Sequence, residues 1–355
     1  MIFDSLLGKK KSFLGVDIGT ASIKLVELTA GPNNVPRLLT YGRAEESIDF
    51  TKADSEEDIK RIVATLKEIC RRAKTKSQQT VSALPSFTVF SSVISLPTMS
   101  PKELAAAVKL EARKFVPLPV EEMILDWKIL SDKVDKPSEE TKNIRVLLTA
   151  APQNVVRRYL EIFKRAELEL LSLETEAFAL ERSLVGGSNE IIMIVDIGAV
   201  TTDISVIENS IPILSRSIDV GGFTITKAIG RSLNIDLRRA EQFKRDIGLT
   251  TASSSGNNGI IKTIENTIGP IINEIKYTFN LYQSQSPKGI DKIILTGGSS
   301  FLPGLDSYLS DIFQLKVYVG DPWAQISYPT EMKPILDEIG PQFASAIGLA
   351  MRELI

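Results

Sequence analysis

Two short stretches of this sequence place an aspartate, a glycine and small hydroxyl residues in the same order. They are residues 14–28, LGVDIGTASIKLVEL, and residues 193–208, MIVDIGAVTTDISVIE. In each, an apolar run rich in Val and Ile ends on an Asp, and polar and apolar residues alternate again after the glycine. This pattern is typical of a strand, a tight turn and a second strand. One such motif is usually an ordinary turn with an Asp-capped backbone, whereas two matched copies indicate two related half-domains.

The residue types in these motifs suit the binding of phosphate and of a divalent cation. Glycines lack a Cβ, so backbone N–H groups beside them can approach anionic oxygens closely. Hydroxyls add donors and a lysine supplies a point charge. The candidate phosphate-binding residues are therefore Gly19, Thr20, Ala21, Ser22 and Lys24 in the first motif and Gly198, Ala199, Thr201 and Thr202 in the second. We expect Asp17 and Asp196, each at the C-terminal end of its strand, to face each other across a cleft and hold a hydrated Mg²⁺.

A third glycine element follows later in the chain. Residues 292–305, KIILTGGSSFLPGL, predict a buried strand that runs into Gly297, Gly298 and Ser299 and then into a helix begun at Pro303. Backbone amides are thus exposed at another strand end. This trio, in this order, resembles the superfamily of actin, the sugar kinases and the 70-kilodalton heat-shock chaperones. In that superfamily two such hairpins bind the phosphates of the nucleotide, and the third loop covers the adenosine.

The resemblance implies an α/β chain with the actin-like ATPase fold, in which two related ribonuclease-H-like halves surround a nucleotide cleft. It also implies ATP and Mg²⁺ as cofactors. Lys24 falls seven residues after Asp17, where actin-like proteins place their phosphate lysine. Gly221 and Gly222 belong to a D-V-G-G segment whose backbone approaches the nucleotide in relatives.

Two further segments add candidates by the same resemblance. Residues 240–244, AEQFK, with a following Ile-Gly, resemble the A-E-x-x-K…G helix of the bacterial actin-like proteins, which implies nucleoside contacts for Glu241 and Lys244. Residues 173–180, LETEAFAL, resemble the N-E-P-T-A-A-A-L helix start of the chaperones, which implies that Glu174 orients the attacking water. Plainer alternatives stay open. Glu241 and Lys244 can be an ordinary exposed pair on a helix, and Glu174 can be an acid favoured by a helix N-terminus.

Composition limits the chemistry further. The chain has 355 residues, 43% of them hydrophobic, and a net charge of −2, which fits two to three domains and gives no global attraction to nucleic acid. The absence of His excludes His-based triads and most zinc sites, and the single Cys70 excludes an internal disulfide. Cys70 falls on the apolar face of a predicted helix, which favours a buried structural thiol. We find no signal peptide and no run of about 18 apolar residues, so we expect a cytosolic protein without a membrane span.

The segments between the motifs predict the domain organisation. A strand-rich module, with a helix started by the capping box Ser100-Pro101-Lys102-Glu103, separates the first hairpin from Glu174. Charged residues 131–142 and the Ser/Gly/Asn-rich residues 250–258 predict exposed loops, and Gly269-Pro270 predicts an interrupted, kinked helix. The predicted division is 1–80 for the first half of domain I, 81–165 for an inserted accessory subdomain, 166–192 for the return to domain I, 193–220 for the core of domain II, 221–285 for its helical subdomain, 286–335 for more of its core and 336–355 for a crossover helix back to domain I.

The place of this inserted subdomain resembles the cell-division protein FtsA and the PilM family, actin-like components of the type IV pilus inner-membrane platform. FtsA continues to an amphipathic membrane-targeting helix, whereas this chain stops soon after residues 342–354, which favours the PilM family. The resemblance implies a cytoplasmic ATP-binding scaffold of pilus biogenesis, recruited to the inner face of the inner membrane. Its implied partners are the cytoplasmic N-terminal segment of the membrane protein PilN, other pilus platform or motor proteins and further copies of itself.

One departure from the superfamily pattern bears on activity. Many members carry D-x-G-G-G-T in the second loop, whereas Ala199 and Val200 follow Gly198 here. Two Cβ atoms restrict how closely the backbone wraps a γ-phosphate, which predicts ATP binding with at most slow hydrolysis. Two other functions stay open: a filament-forming actin homologue of the FtsA or rod-shape type, and a small-molecule kinase.

Residues 1–12, with four apolar side chains ahead of three lysines, indicate a tail packed on the domain or a small membrane or partner contact.

Overall fold

A computed structural model of the chain describes residues 11–45, 55–116, 118–130, 143–250 and 258–355. The expectations for the N-terminal tail up to residue 10, for loop 131–142 and for loop residues 251–257 lie outside the described residues.

Strands and helices make up most of the described residues. The strands are β1 (Ser12–Ile18), β2 (Ser22–Ala30), β3 (Pro36–Glu45), β4 (Gln79–Leu84), β5 (Phe90–Pro97), β6 (Met123–Leu130), β7 (Asn143–Pro152), β8 (Glu169–Thr175), β9 (Ile192–Ile197), β10 (Thr202–Glu208), β11 (Ile211–Ile218), β12 (Lys292–Thr296) and β13 (Lys316–Val319). The helices are α1 (Glu56–Ala73), α2 (Pro101–Ala112), α3 (Gln153–Arg165), α4 (Glu176–Leu184), α5 (Gly222–Leu233), α6 (Leu237–Ile247), α7 (Asn258–Gln285), α8 (Leu305–Phe313) and α9 (Lys333–Met351).

Two five-stranded sheets share one strand order. The first runs β3-β2-β1-β4-β8 and the second runs β11-β10-β9-β12-β13. In both, three consecutive antiparallel strands come first and two parallel strands follow. Because the two motifs form the β1–β2 and β9–β10 hairpins at matching places, the prediction of two related halves is confirmed.

A third sheet lies between β4 and β8 in the chain and is antiparallel, in the order β5-β7-β6. Helix α2 packs on this sheet through Leu104 and Val108, and its predicted capping box is confirmed. Helix α3 instead buries Tyr159 and Phe163 in the core of the first half. The division into domains stays a prediction, and the packing groups α3 with the first half.

Helix α9 closes the first half from the far end of the chain. It packs against β1 and β2, and a Cβ on Gly15 would lie only 2.0 Å from the Ala346 carbonyl oxygen. Likewise, a Cβ on Gly348 would lie 1.8 Å from the carbonyl oxygen of Ala179 on α4. The contact is close because each of these glycines leaves room for a neighbouring backbone.

Two local expectations have different outcomes. The predicted interruption at Gly269-Pro270 is wrong, since α7 continues through Pro270. Pro270 removes only one N–H donor from the helix. Buried isoleucines on both sides of it, including Ile268 and Ile271, pack into the core of the second half and keep the helix continuous. Cys70 is partly buried against the first core, and burial raises the pKa of its thiol, as expected for a structural cysteine.

Candidate functional site

A cleft opens where the two hairpin loops approach each other. The loops are closed alike: the Gly19 N–H donates to the Ser22 carbonyl at 3.0 Å, and the Gly198 N–H donates to the Thr201 carbonyl at 2.9 Å. A Cβ would lie 3.2 Å from the Ser22 oxygen at Gly19 and 3.1 Å from the Thr201 oxygen at Gly198. Of the predicted site residues, those that line the cleft are Asp17, Gly19, Thr20, Ala21, Ser22, Lys24, Asp196, Gly198, Ala199, Thr201, Gly297 and Gly298.

The two hairpins carry different charges at equivalent positions. Lys24 stands opposite Asp17 in the β1–β2 ladder, and its Nζ donates to Asp17 Oδ2 at 2.8 Å. The equivalent partner of Asp196 in the β9–β10 ladder is Asp203. The first hairpin therefore presents an ion pair and the second presents two acids. Asp203 is not among the predicted site residues, although it follows Asp196 by seven residues as Lys24 follows Asp17.

Glu176, at the start of α4, lines the same cleft as Asp196 and Asp203. Burial, and then repulsion from Asp203, raise the pKa of Asp196 to about 7, although Lys24 opposes the shift. Burial raises the pKa of Asp203 to about 6. Burial and the charges of Asp203 and Asp17 raise the pKa of Glu176 well above its usual range. The Glu176 carboxylate accepts hydrogen bonds from the N–H of Ser86, at 3.1 Å, and from its hydroxyl. This part of the cleft groups three acids that resist ionisation, and a bound cation would favour their charged forms.

The third glycine loop packs directly on the second. The Ser299 N–H donates to the Ile197 carbonyl at 3.0 Å, and the Ser299 hydroxyl donates to the Gly198 carbonyl at 3.3 Å. Gly297 has a φ of +84°, and a Cβ there would lie 2.2 Å from Asp196 Oδ1. Its N–H donates to the Pro341 carbonyl of α9 at 3.0 Å. The loop is therefore held between Asp196 and α9.

Glu241 and Lys244 form a pair behind the second loop. Lys244 Nζ lies 2.7 Å from Glu241 Oε2 and donates to the Gly222 carbonyl at 3.2 Å and to the Thr226 hydroxyl at 3.1 Å. Burial lowers the pKa of Lys244, against the hydrogen bond to Glu241. Since only 8% of Lys244 is exposed, the alternative of an ordinary exposed pair does not describe it.

Some predicted residues do not line the cleft between the hairpins. The Gly222 N–H donates to the Gly198 carbonyl at 2.9 Å, and a Cβ on Gly221 would lie 2.8 Å from the Ala199 carbonyl, so both glycines support the second loop. The Thr202 hydroxyl is buried and donates to the Val220 carbonyl at 2.6 Å. The predicted residues outside the lining are Thr202, Gly221, Gly222, Glu241, Lys244, Ser299 and Glu174.

Glu174 lies at the end of β8, where its carboxylate meets two arginines. Its Oε2 accepts from Arg182 and lies 3.3 Å from Arg352 Nε. Burial raises the pKa of Glu174, although Arg182 opposes the shift. Arg182 also donates to the Gly348 carbonyl, so the cluster ties β8 and α4 to α9. This position supports a structural role and gives no support to the expected contact with water in the cleft.

Residues without a motif complete the cleft wall. Ser86 and Phe87 come from the turn that leads into the third sheet, Arg43 from β3, and Gln342 and Ser345 from α9. Among these, Ser86 had no usable sequence signal, because its contact with Glu176 joins residues 90 positions apart.

Comparison with known proteins gives the family. The family of type IV pilus assembly proteins PilM matches residues 15–354. The chain belongs to the PilM family. Among solved structures, a chain of the PilM-PilN type IV pilus biogenesis complex is 28% identical, with a TM-score of 0.82, over 96% of this chain and 98% of that chain. The predicted resemblance to PilM is confirmed.

More distant relatives agree on the fold of this PilM-family chain. FtsA of Neisseria meningitidis serogroup B is 31% identical over 178 residues, which are 44% of this chain and 41% of FtsA. FtsA of Bacillus subtilis is 23% identical over 60% of this chain and 55% of its own length, so the chain spans about half of these relatives. The MreB5 structure of Spiroplasma citri bound to AMPPNP is 16% identical, with a TM-score of 0.55, over 96% of this chain and 95% of that chain. The actin-like fold with an inserted subdomain is confirmed. Among the described helices, none has the length and apolar character needed to cross a bilayer.

Proposed function

We propose that this chain is an ATP-binding scaffold of type IV pilus assembly that binds the cytoplasmic N-terminal segment of PilN. Similarity to a PilM-PilN complex chain over nearly the full length carries the proposal. In this proposal the bound PilN recruits the chain to the inner face of the inner membrane. Other platform or motor proteins, and further copies of the chain, stay predictions as partners.

The cleft fits Mg²⁺-ATP in its donors and its charge. Backbone N–H groups of the Gly19 and Gly198 loops would bind phosphate oxygens, and Lys24 would add a positive charge. The loop at Gly298 and the pair Glu241 and Lys244 would lie on the nucleoside side. ATP would supply the γ-phosphate as the electrophile of any hydrolysis.

The acids of the cleft fit a hydrated cation. Within the part of the chain that the structure describes, no three acidic, His or Cys side chains are grouped to hold a metal directly. Asp203 Oδ1 is buried without a hydrogen-bond partner, which leaves an acceptor for a metal-bound water. Asp17 and Asp196 would accept hydrogen bonds from other waters of the same shell.

Glu176 replaces Glu174 as the proposed water-orienting residue. It lines the cleft, and the Ser86 N–H and hydroxyl fix its carboxylate. Burial and the neighbouring aspartates raise its pKa well above the usual range, as at many sites of proton transfer. Slow hydrolysis stays a prediction, which rests on the Cβ atoms of Ala199 and Val200 in the second loop.

The test is calorimetric titration of the chain with the N-terminal cytoplasmic peptide of PilN from the same organism, with and without Mg²⁺-ATP. A scrambled peptide of the same composition is the control. We expect selective binding of the native peptide and separate binding of Mg²⁺-ATP. A native peptide that binds no better than the scrambled one would refute the partner, and no heat with Mg²⁺-ATP would refute the nucleotide.

A further inference from the structure

Arg43 is a cation of the cleft that no motif identifies. It lies on β3, directly opposite Lys24 in the β2–β3 ladder, and its side chain lines the cleft. Among the described lining residues, Lys24 and Arg43 are the two that carry positive charge. Lys24 is already paired with Asp17 at 2.8 Å. Arg43 is therefore the cleft cation that no lining carboxylate neutralises.

The present partners of Arg43 are easily displaced. Its Nη1 donates to Gln342 Oε1, which is a neutral acceptor. Its Nη2 lies 2.8 Å from Glu45 Oε1, but the Glu45 side chain is 75% exposed. An ion pair this exposed adds little stability, because water competes for both groups. A phosphate would offer two charged oxygens in a geometry that matches the planar guanidinium.

We propose that Arg43 binds the phosphate groups of a nucleoside di- or triphosphate in this cleft, and that it leaves Gln342 to do so. This inference rests on the proposed nucleotide-binding function. Lys24 and Arg43, neighbours across two strands, together form the positive side of the phosphate site, opposite the acids Asp196 and Asp203.

The loss of the hydrogen bond between Arg43 and Gln342 would also affect the third glycine loop. Gln342 Cγ lies 3.7 Å from the position that a Cβ would take on Gly298. When Arg43 turns to a phosphate, the Gln342 amide is left free beside Gly298. The occupied phosphate site is thereby connected to α9, which also packs on the first sheet.

The experiment compares Arg43→Gln with Arg37→Gln, an arginine on the same strand that does not line the cleft. Calorimetry with Mg²⁺-ATP, Mg²⁺-ADP and adenosine measures the affinities. Because a hydrogen bond to a charged group contributes about 1.5–3 kcal/mol, R43Q is expected to bind ATP and ADP about 10- to 100-fold more weakly. Its adenosine affinity and unfolding temperature should match those of R37Q and the wild type. Arg43→Lys, which keeps the charge but loses the paired donors, should fall between.

Each outcome separates the inference from the function on which it rests. Wild-type affinity of R43Q for ATP and ADP would overturn the role of Arg43 while leaving the nucleotide site in place. An equal loss for adenosine, or a lowered unfolding temperature, would also overturn it, because the change would then distort the protein generally. A wild-type chain that binds no nucleotide would overturn the proposed function, and the inference with it.

Discussion

The chemistry of the cleft follows from a difference between two equivalent residues, Lys24 and Asp203. Each stands opposite the aspartate of its own hairpin. Lys24 pairs with Asp17, whereas Asp203 repels Asp196 and contributes to its raised pKa. The two matched hairpins thus present an ion pair on one side of the site and two acids on the other.

The first prediction concerns pH and Mg²⁺. Asp196 and Asp203, with pKa values of about 7 and 6, must be ionised to attract a cation. We therefore expect Mg²⁺-ATP to bind more tightly as the pH rises from 6 to 8, with protons released on binding. Calorimetry in two buffers of different ionisation enthalpy measures that release. Asp203→Asn removes the repulsion and should move the midpoint for Asp196 to lower pH.

In the ligand-free protein, the same raised pKa values make the stability fall as the pH rises, whereas the Mg²⁺-ATP affinity is expected to increase. An acid whose pKa is raised by folding stabilises the native state below its unfolded pKa, and this stabilisation is lost as the pH rises through the folded value. The contribution of these two acids should therefore fall between about pH 4 and 7. A Mg²⁺-ATP affinity that does not change between pH 6 and 8 would contradict the assignment.

The second prediction separates Glu174 from Glu176. Glu174→Gln weakens a partly buried cluster with Arg182, so the free energy of unfolding should fall by about 1–3 kcal/mol, with ATP affinity unchanged. Glu176→Gln removes an acid from the cleft, so single-turnover hydrolysis should slow while ATP still binds. Denaturant unfolding and a single-turnover assay of both variants check this. Slower hydrolysis in the Glu174 variant alone would return the role to Glu174.

At the scale of elements, periodicity made most of the fold predictable. The hairpins, α1, α2 and the inserted sheet have clear patterns of apolar residues, and the structure forms each of these elements. The step from β8 to α4 was harder, because the strand ends at Thr175 and the helix begins at Glu176. A shift of two residues at this junction decides which glutamate enters the cleft, and local patterns do not define element ends that closely.

Long-range contacts explain what else the sequence did not show. Arg43 lies in a strand of ordinary alternation, and Ser86 reaches Glu176 only because β4 and β8 are neighbours. No spacing in the chain encodes such a meeting, since it depends on sheet order. The glycine-rich loops could be predicted because a tight turn with exposed N–H groups needs glycine at fixed places in the local sequence.

The third prediction concerns the contact between α4 and α9. Gly348→Ala would place a Cβ 1.8 Å from the Ala179 carbonyl, so we expect a loss of about 1–3 kcal/mol in unfolding free energy. Gly259→Ala is the control, since Gly259 in α7 has no atom within 4 Å of an added Cβ. Urea unfolding of both variants measures the difference. A Gly348 variant as stable as the Gly259 variant would mean that the two helices separate easily.

At the scale of the whole molecule, the cleft is assembled from both halves and α9. Gly19 and Asp17 come from the first sheet, Gly198 and Asp196 from the second, and Gln342 from α9. A ligand that contacts all three should therefore stabilise the folded chain as one unit.

The fourth prediction follows from this assembly. Mg²⁺-ATP at 100 times its dissociation constant should add about 2.7 kcal/mol to the free energy of unfolding. Asp17→Ala should reduce the effect by removing a metal-side acid, and Lys24→Ala should cost about 1.5–3 kcal/mol of nucleotide binding. Asp246→Ala, an exposed acid of α6, is the control. Thermal unfolding with and without nucleotide measures each effect, and equal stabilisation of all three variants would place the nucleotide elsewhere.

The packing of α9 on β1 and β2 also sets a time order for synthesis. The apolar face of β2, including Val26 and Leu28, is covered by a helix that begins at Lys333. At about 5–20 residues per second, the ribosome needs roughly 15–60 s to make the intervening chain. The first half therefore stays unfinished on the ribosome until α9 has been made, and the nascent chain must avoid aggregation through this open face.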